Sequence, residues 1–224
     1  MDTRQEPTNG FWARVPSPLE PEDVVVCGLA SVSGRGLAQI GVSTGEFCVV
    51  VGQGVIGQCC AQIARIHGAH VLAADVIPKR LALAAEYSAD TVWDSNTGDL
   101  NAEVFRRTGD RGADLVVEAS GRKELIRQAI DIVRVYGKVL LQGWYPGDVS
   151  FDFHRTHMRQ PTIAVACGID KAGTERALRW ISEGKLRIRP LVTSVFRPAD
   201  APSAYAMMRE RPGEFLGVAF DWRA

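Results

Sequence analysis

The sequence predicts an α/β fold, a doubly wound parallel sheet of about six strands with helices on both faces. Three observations carry that expectation. Short runs that are apolar throughout alternate with stretches of helical period along most of the chain, as strands covered on both faces by crossover helices require. One such run, Phe47–Val51, passes directly into Gly52-Gln53-Gly54-Val55-Ile56-Gly57. An acidic residue, Asp75, closes the next apolar run, 23 positions after Gly52.

The elements follow in order. Residues 1–20 read as irregular, because Pro7, Gly10, Pro16 and Pro18 interrupt any regular period. Pro21 with Glu22 and Asp23 suits a helix first turn, and the apolar stretch to about Ile40 is expected as two short helices split by Gly34 and Gly36. A turn over 41–46 leads into the strand Phe47–Val51. Ile56, Cys59, Ile63 and Ile66 then recur at helical spacing and stop at Gly68. Val71–Ala74 is the second strand, Pro78 opens a helix to about Tyr87, and Thr91–Trp93 is the third strand. A helix over Leu100–Thr108, a strand over Asp114–Glu118, a helix over Lys123–Val135 and a strand over Lys138–Gln142 continue the alternation. Pro161–Ala166 reads as a sixth strand and Thr174–Ser182 as a helix. Short apolar runs, Leu191–Val195 and Leu216–Phe220, flank a last helix near Pro202–Arg209.

The glycine turn has a chemical reading. Gly52 allows a tight turn, Gly54 lets the backbone approach a pyrophosphate, and Gly57 lets the helix pack closely on the strand. Amides of Val55, Ile56 and Gly57 at the helix start then face the phosphates, where the helix dipole favours negative charge. This is the order of a Rossmann dinucleotide-binding unit. Asp75 lies near the spacing expected for the carboxylate that accepts the adenosine ribose hydroxyls of NAD, and it would repel a 2′-phosphate. Lys79 and Arg80 follow closely and leave some room for NADP. The competing account of Asp75 is a surface residue capping the helix that Pro78 begins. In a doubly wound sheet the crevice opens at the carboxyl ends of the first and fourth strands. Besides Gly52–Gly57, the segments leaving there are Ala119-Ser120-Gly121 and, next in line, Gln142-Gly143-Trp144, natural neighbours for the nicotinamide half. Loop glycines such as Gly121 and Gly143 are also ordinary turn formers.

Composition narrows the remaining classes. The 26 basic and 26 acidic side chains cancel, which gives no electrostatic argument for nucleic acid or an anionic membrane. No apolar run approaches the ~20 residues of a spanning helix, and the opening residues lack a signal-peptide core, so a cytoplasmic protein is expected. Five cysteines without CxxC spacing read as reduced thiols, three of them in or beside apolar runs. His154 and His157 could share a helix face and hold a metal, but no third ligand is near and a solvated loop is the expectation.

These segments together resemble the medium-chain dehydrogenase/reductase superfamily, in particular its zinc-dependent alcohol dehydrogenases. The resemblance runs from about Val15 to Trp222. It rests on the lead-in Pro21–Ile40, Gly45-Glu46, Gly52–Gly57, Gly112-Ala113-Asp114, Glu118-Ala119-Ser120-Gly121, and the tail from Ala204-Tyr205 to Phe220. Such enzymes have an N-terminal catalytic domain and a cofactor domain. The family's first zinc-binding cysteine, its Gly-His-Glu segment and its four-cysteine lobe have no counterpart before Gly10, so the chain resembles a cofactor domain (22–224) preceded by a stub (1–21). By resemblance Cys27 stands where the third catalytic zinc ligand lies, and Ser31 matches a hydroxyl residue against the nicotinamide. One ligand does not make a zinc site, and zinc is expected to be absent from this chain. Arg80 matches a basic residue near the adenosine ribose, and Val165 and Cys167 match backbone positions near the nicotinamide carboxamide. The arginine that many relatives place near the pyrophosphate is replaced by Leu216 or Gly217. Relatives pair through late strands, which points to a homodimer through Leu191–Val195 and Leu216–Phe220. Absence of the catalytic domain would leave apolar surface around Val24–Leu29 and at Trp144.

The function so implied is an NAD-binding oxidoreductase domain, with weak or no alcohol oxidation by this chain alone. Two alternatives remain at this point: a non-catalytic NAD(H)-sensing module, and a methyltransferase binding S-adenosylmethionine through a similar turn.

Overall fold

The computed structural model describes residues 13–223. Most of the expected irregular start, with Pro7 and Gly10, lies outside the described residues. Two helices come first, α1 (Pro21–Val24) and α2 (Cys27–Ile40). The sheet units follow as β1 (Phe47–Val51), α3 (Val55–Ile66), β2 (His70–Asp75), α4 (Pro78–Leu83), β3 (Thr91–Asp94) and α5 (Leu100–Thr108). The second half continues as β4 (Ala113–Glu118), α6 (Lys123–Ile132), β5 (Val133–Leu141), α7 (Phe153–Arg159), β6 (Thr162–Val165) and α8 (Lys171–Ser182). The chain closes with β7 (Val192–Phe196), α9 (Ala201–Glu210) and β8 (Gly217–Phe220).

Strands β1 to β6 form one parallel sheet in the order β3-β2-β1-β4-β5-β6. The chain therefore reverses its direction of travel across the sheet between β1 and β4, and the doubly wound expectation holds. Residues of β1 alternate between two cores. Cys48 and Val50 pack with Leu37 of α2, Ile63 of α3 and Leu178 of α8, whereas Val49 and Val51 pack with Val104 of α5 and Ile126 of α6. A strand buried on both faces has no polar positions to alternate, which is why these runs read as continuously apolar. Strands β7 and β8 pair in parallel as a separate two-stranded sheet joined by α9.

Three expectations need correction. The stretch before the sheet is not split at Gly34 and Gly36; α2 runs unbroken for 14 residues. Those glycines are contact points. A Cβ on Gly34 would meet Ile63 Cδ1 at 3.7 Å and Trp180 Cζ3 at 3.8 Å, and one on Gly36 would fall 2.0 Å from Gln142 Oε1. Each glycine costs the helix roughly 1 kcal/mol of propensity, which close packing on α3, α8 and β5 offsets. Second, α6 stops at Ile132 and Val133 already pairs with Ala113 of β4, so the β-branched end of the expected helix belongs to β5. Third, His154 and His157 lie in α7 and not in a loop, with the His157 ring stacked on Phe153 at 5.8 Å. Asp152 caps that helix by accepting from Arg155 N at 3.1 Å, a signal the sequence reading passed over.

Candidate dinucleotide cleft

The glycine turn leaves β1 and is held from both sides. Gly52 N donates to Ala74 O of β2 at 2.8 Å, and Ala119 N donates to Val51 O at 2.8 Å. Gly52 has φ +89°, and a Cβ there would lie 2.6 Å from both N and Cα of Ser120. No other residue fits that position. A Cβ on Gly57 would lie 1.8 Å from Gly52 O, so the first turn of α3 rests directly on the glycine loop. Gly54 differs: it is the N-cap of α3, no side chain caps the helix, and a Cβ there would meet nothing within 4 Å. The helix start therefore presents amides without a side-chain acceptor to open space, the electrostatic setting for an anion.

Asp75 closes β2 beside this turn and is only 8% exposed. Its Oδ2 accepts from Gln53 N at 2.6 Å, and its Oδ1 accepts from Val76 N at 2.7 Å and Ile77 N at 2.9 Å. The residue is neither at the surface nor the cap of α4, whose N-cap is Ile77. The carboxylate instead locks the glycine turn to the end of β2.

Two clefts open along the carboxyl edge of the sheet. One, of about 450 Å³, is lined by Gly52, Gly54, Asp75, Arg80, Ala119 and Ser120 among others. The other, of about 1000 Å³, is lined by Ile56, Gly121, Gly143, Trp144, Val165 and Cys167 among others, and shares Ala119 and Ser120 with the first. Of the residues expected around the cofactor, Val55 and Gly57 alone line neither cleft with their side of the backbone; both lie in the first turn of α3. Trp144 is 82% exposed at the rim. Arg80 reaches out of the first cleft to Pro212 O at 3.3 Å.

Ser31 and Cys27 are not brought to the clefts. The Ser31 hydroxyl is buried without a partner where α2 meets α8, and a Cβ on Gly173 would fall 2.7 Å from it. Cys27 is buried, its Sγ lies 4.0 Å from Thr174 O, and burial pushes its thiol up to about 11. A catalytic zinc takes three protein ligands, and Cys27 would supply one. Among the described residues no cluster of three or more His, Cys, Asp or Glu could hold a metal. The donor set of residues 13–223 does not fit a catalytic zinc.

Sequence reasoning also missed groups that shape the site. Arg122, Leu125 and Gln128, at the start and along α6, line the first cleft. Gln142, which the sequence does place at this crevice, lines the second, 7% exposed, with neither amide atom hydrogen-bonded. Tyr145 folds its hydroxyl back onto Glu118, the fully buried last residue of β4. Burial pushes the Glu118 carboxyl above the usual carboxylate range, only partly opposed by the hydroxyl and amide of Ser120. An aromatic residue after Gly143-Trp144 was the available signal, but which way its ring turns is a tertiary matter.

Comparison with known proteins agrees with this geometry. The family model for zinc-binding dehydrogenases matches residues 55–183, more than half of the chain.

The chain belongs to the zinc-binding dehydrogenase family.

It resembles the cofactor-binding domain of the medium-chain dehydrogenase/reductase superfamily throughout the sheet. An alcohol dehydrogenase of Rhizobium meliloti is 34% identical over 178 residues, which is 79% of this chain and 52% of that protein. Among solved structures, an alcohol dehydrogenase from Thermus sp. ATN1 is 27% identical with a TM-score of 0.81, covering 92% of this chain and 60% of that one. A zinc-binding dehydrogenase from Sinorhizobium meliloti, bound to NADP, is 23% identical with a TM-score of 0.78, covering 85% and 57%. The chain spans about half the length of the curated relatives it matches. Among the described residues, no helix is long and apolar enough to cross a membrane.

Proposed function

We propose that this chain is the coenzyme-holding part of an NAD-dependent alcohol dehydrogenase-like oxidoreductase, residues 22–224 forming the dinucleotide domain. The observation that carries the reading is the uncapped start of α3 at Gly54, open to a cleft that Asp75 also lines. The amides of the first turn of α3 would take the diphosphate, Asp75 the adenosine ribose, and Ser120, Gly143 and Val165 would flank the nicotinamide half. When bound, the coenzyme supplies a hydride acceptor or donor for an alcohol or carbonyl substrate. The chain's own residues orient that ring: Ala119 and Ser120 separate the two clefts, and Trp144 covers the rim. Polarisation of the substrate oxygen is not assigned to any residue in 13–223. Weak or no alcohol oxidation by this chain alone is therefore part of the reading, as is a homodimer through β7 and β8.

Titration with NADH and NADPH, followed by energy transfer from Trp144, tests it. NADH is expected to bind at least about tenfold tighter, a difference of about 1.4 kcal/mol. Asp75 is the reason: a 2′-phosphate beside a carboxylate already engaged by three amides meets like charge. Equal affinity for NADPH overturns the NAD assignment, and absence of binding by either overturns the reading. Brisk turnover of an alcohol panel, with or without added zinc, would overturn the low-activity part.

A further inference from the structure

We propose that Glu118 and Tyr145 are a positioning pair that sets the shape of the nicotinamide end of the cleft. The proposal rests on the dinucleotide reading above and deepens it.

Three chain segments must stand in register for one ligand to span both clefts: the turn after β1, the loop after β4 and the loop after β5. Glu118 ties the last two together, and Ser120 abuts the first. Its Oε1 accepts from Ser120 N at 2.9 Å and from the Ser120 hydroxyl, and its Oε2 accepts from the Tyr145 hydroxyl. Its backbone oxygen accepts from Gln142 N at 2.8 Å, Gly143 N at 2.9 Å and the Tyr145 hydroxyl at 3.2 Å. One buried residue thus holds the loops after β4 and β5 together.

The packing around the pair leaves little slack. A Cβ on Gly143 would fall 2.7 Å from Gly121 N and 2.8 Å from the Tyr145 hydroxyl oxygen, so the phenol lies folded over Gly143. Ser120 in turn abuts Gly52 of the glycine turn. Ser120 is thus placed by the Glu118 carboxyl group and Gly143 by the Glu118 backbone oxygen, with the Tyr145 phenol, bonded to that carboxyl group, packed over Gly143. No ion pair to Glu118 is found among the described residues, so its partners are neutral donors. A group desolvated without a cation is costly to keep. A purely structural role would be served as well by an apolar residue at this position, whereas hydroxyl and amide donors fix loop geometry to within a hydrogen bond's tolerance.

The pair lies toward the nicotinamide half and away from Asp75, which makes a selective test possible. Affinities for NADH and for ADP-ribose, which lacks the nicotinamide, are measured by calorimetry on the wild-type chain, Tyr145→Phe, Glu118→Ala and Glu118→Gln. Tyr145→Phe and Glu118→Ala are expected to weaken NADH about tenfold while ADP-ribose changes less than twofold. Glu118→Gln, which keeps an acceptor for Ser120, should recover most of the NADH affinity lost in Glu118→Ala. Parallel loss of both ligands in every variant overturns the proposal, because it indicates general loosening of the fold. Unchanged NADH affinity in Tyr145→Phe overturns it as well. A wild-type chain that binds neither ligand overturns the dinucleotide reading itself, an outcome distinct from the other two.

Discussion

Strand β4 carries a buried carboxyl group at each end, and the two are treated oppositely. At its amino end Asp114 accepts from Arg111, from Arg134 Nε at 2.7 Å and from Phe47 N at 2.9 Å. Burial alone would push this carboxyl up, but the two guanidinium groups and the amide hold it well below the usual carboxylate range. At the carboxyl end Glu118 has hydroxyl and amide donors, and burial pushes it the other way. The same contrast runs across the sheet. At the amino edge Lys138 Nζ meets Glu46 Oε1 at 2.6 Å and Gly41 O at 2.7 Å. At the carboxyl edge a helix start is uncapped and Gln142 has no partner. One edge has its charges paired; the other leaves polar groups without partners.

The sharpest way to break this contrast is at the glycine turn. Gly57→Ala places a methyl against Gly52 O and should cost about 3 kcal/mol or more, as overpacking against backbone does. Urea unfolding would read the loss, and dinucleotide binding should vanish with it. A stable Gly57→Ala protein would mean that the turn is looser than its contacts imply.

At the amino edge, Asp114→Asn removes an acceptor shared by two arginines and should cost about 2 kcal/mol at neutral pH. The sign of the pH dependence follows from the lowered folded-state value. Asp114's contribution is complete above the usual carboxylate range and disappears as pH falls through its folded value. Wild type and variant should therefore converge in strongly acidic solution, measured by unfolding midpoints across pH. Divergence on acidification would contradict the pairing.

The smallest effect is expected at the carboxyl edge. Glu118 has a raised folded-state value, so its contribution is complete at acid pH and falls away as pH rises through that value. Glu118→Gln should flatten this decline and be neutral or slightly stabilising at pH 8, within about 1 kcal/mol of wild type. A large destabilisation at pH 8 would show that the carboxylate, rather than the carboxylic acid, is the form the fold requires.

Much of the site was legible before the fold was known. The turn Gly52–Gly57 and the position of Asp75 follow from a strand, a glycine spacing and an acidic residue in order, all local in sequence. The loops after β4 and β5 were legible because strand order in a doubly wound sheet places its crevice between known ends. Ser31 and Cys27 came from resemblance alone, and both lie beneath α8 in this chain. The split expected at Gly34 and Gly36 failed because a glycine reads as a breaker until its neighbours are known. Here those neighbours are Ile63, Trp180 and Gln142, more than 25 residues away in each case.

What the chain's residue pattern determined by itself was the alternation of strand and helix, the parallel sheet and the mouth of the first βα unit. Those depend on short-range periodicity and on backbone conformations that only particular residues adopt. What the tertiary structure alone decided was which polar groups found partners. Glu118 meets Tyr145 across 27 positions and Asp114 meets Arg134 across 20, and whether a buried carboxyl faces guanidinium or phenol depends on how distant segments pack. Desolvation and pairing energies are properties of that packing, and no window of neighbouring residues contains them.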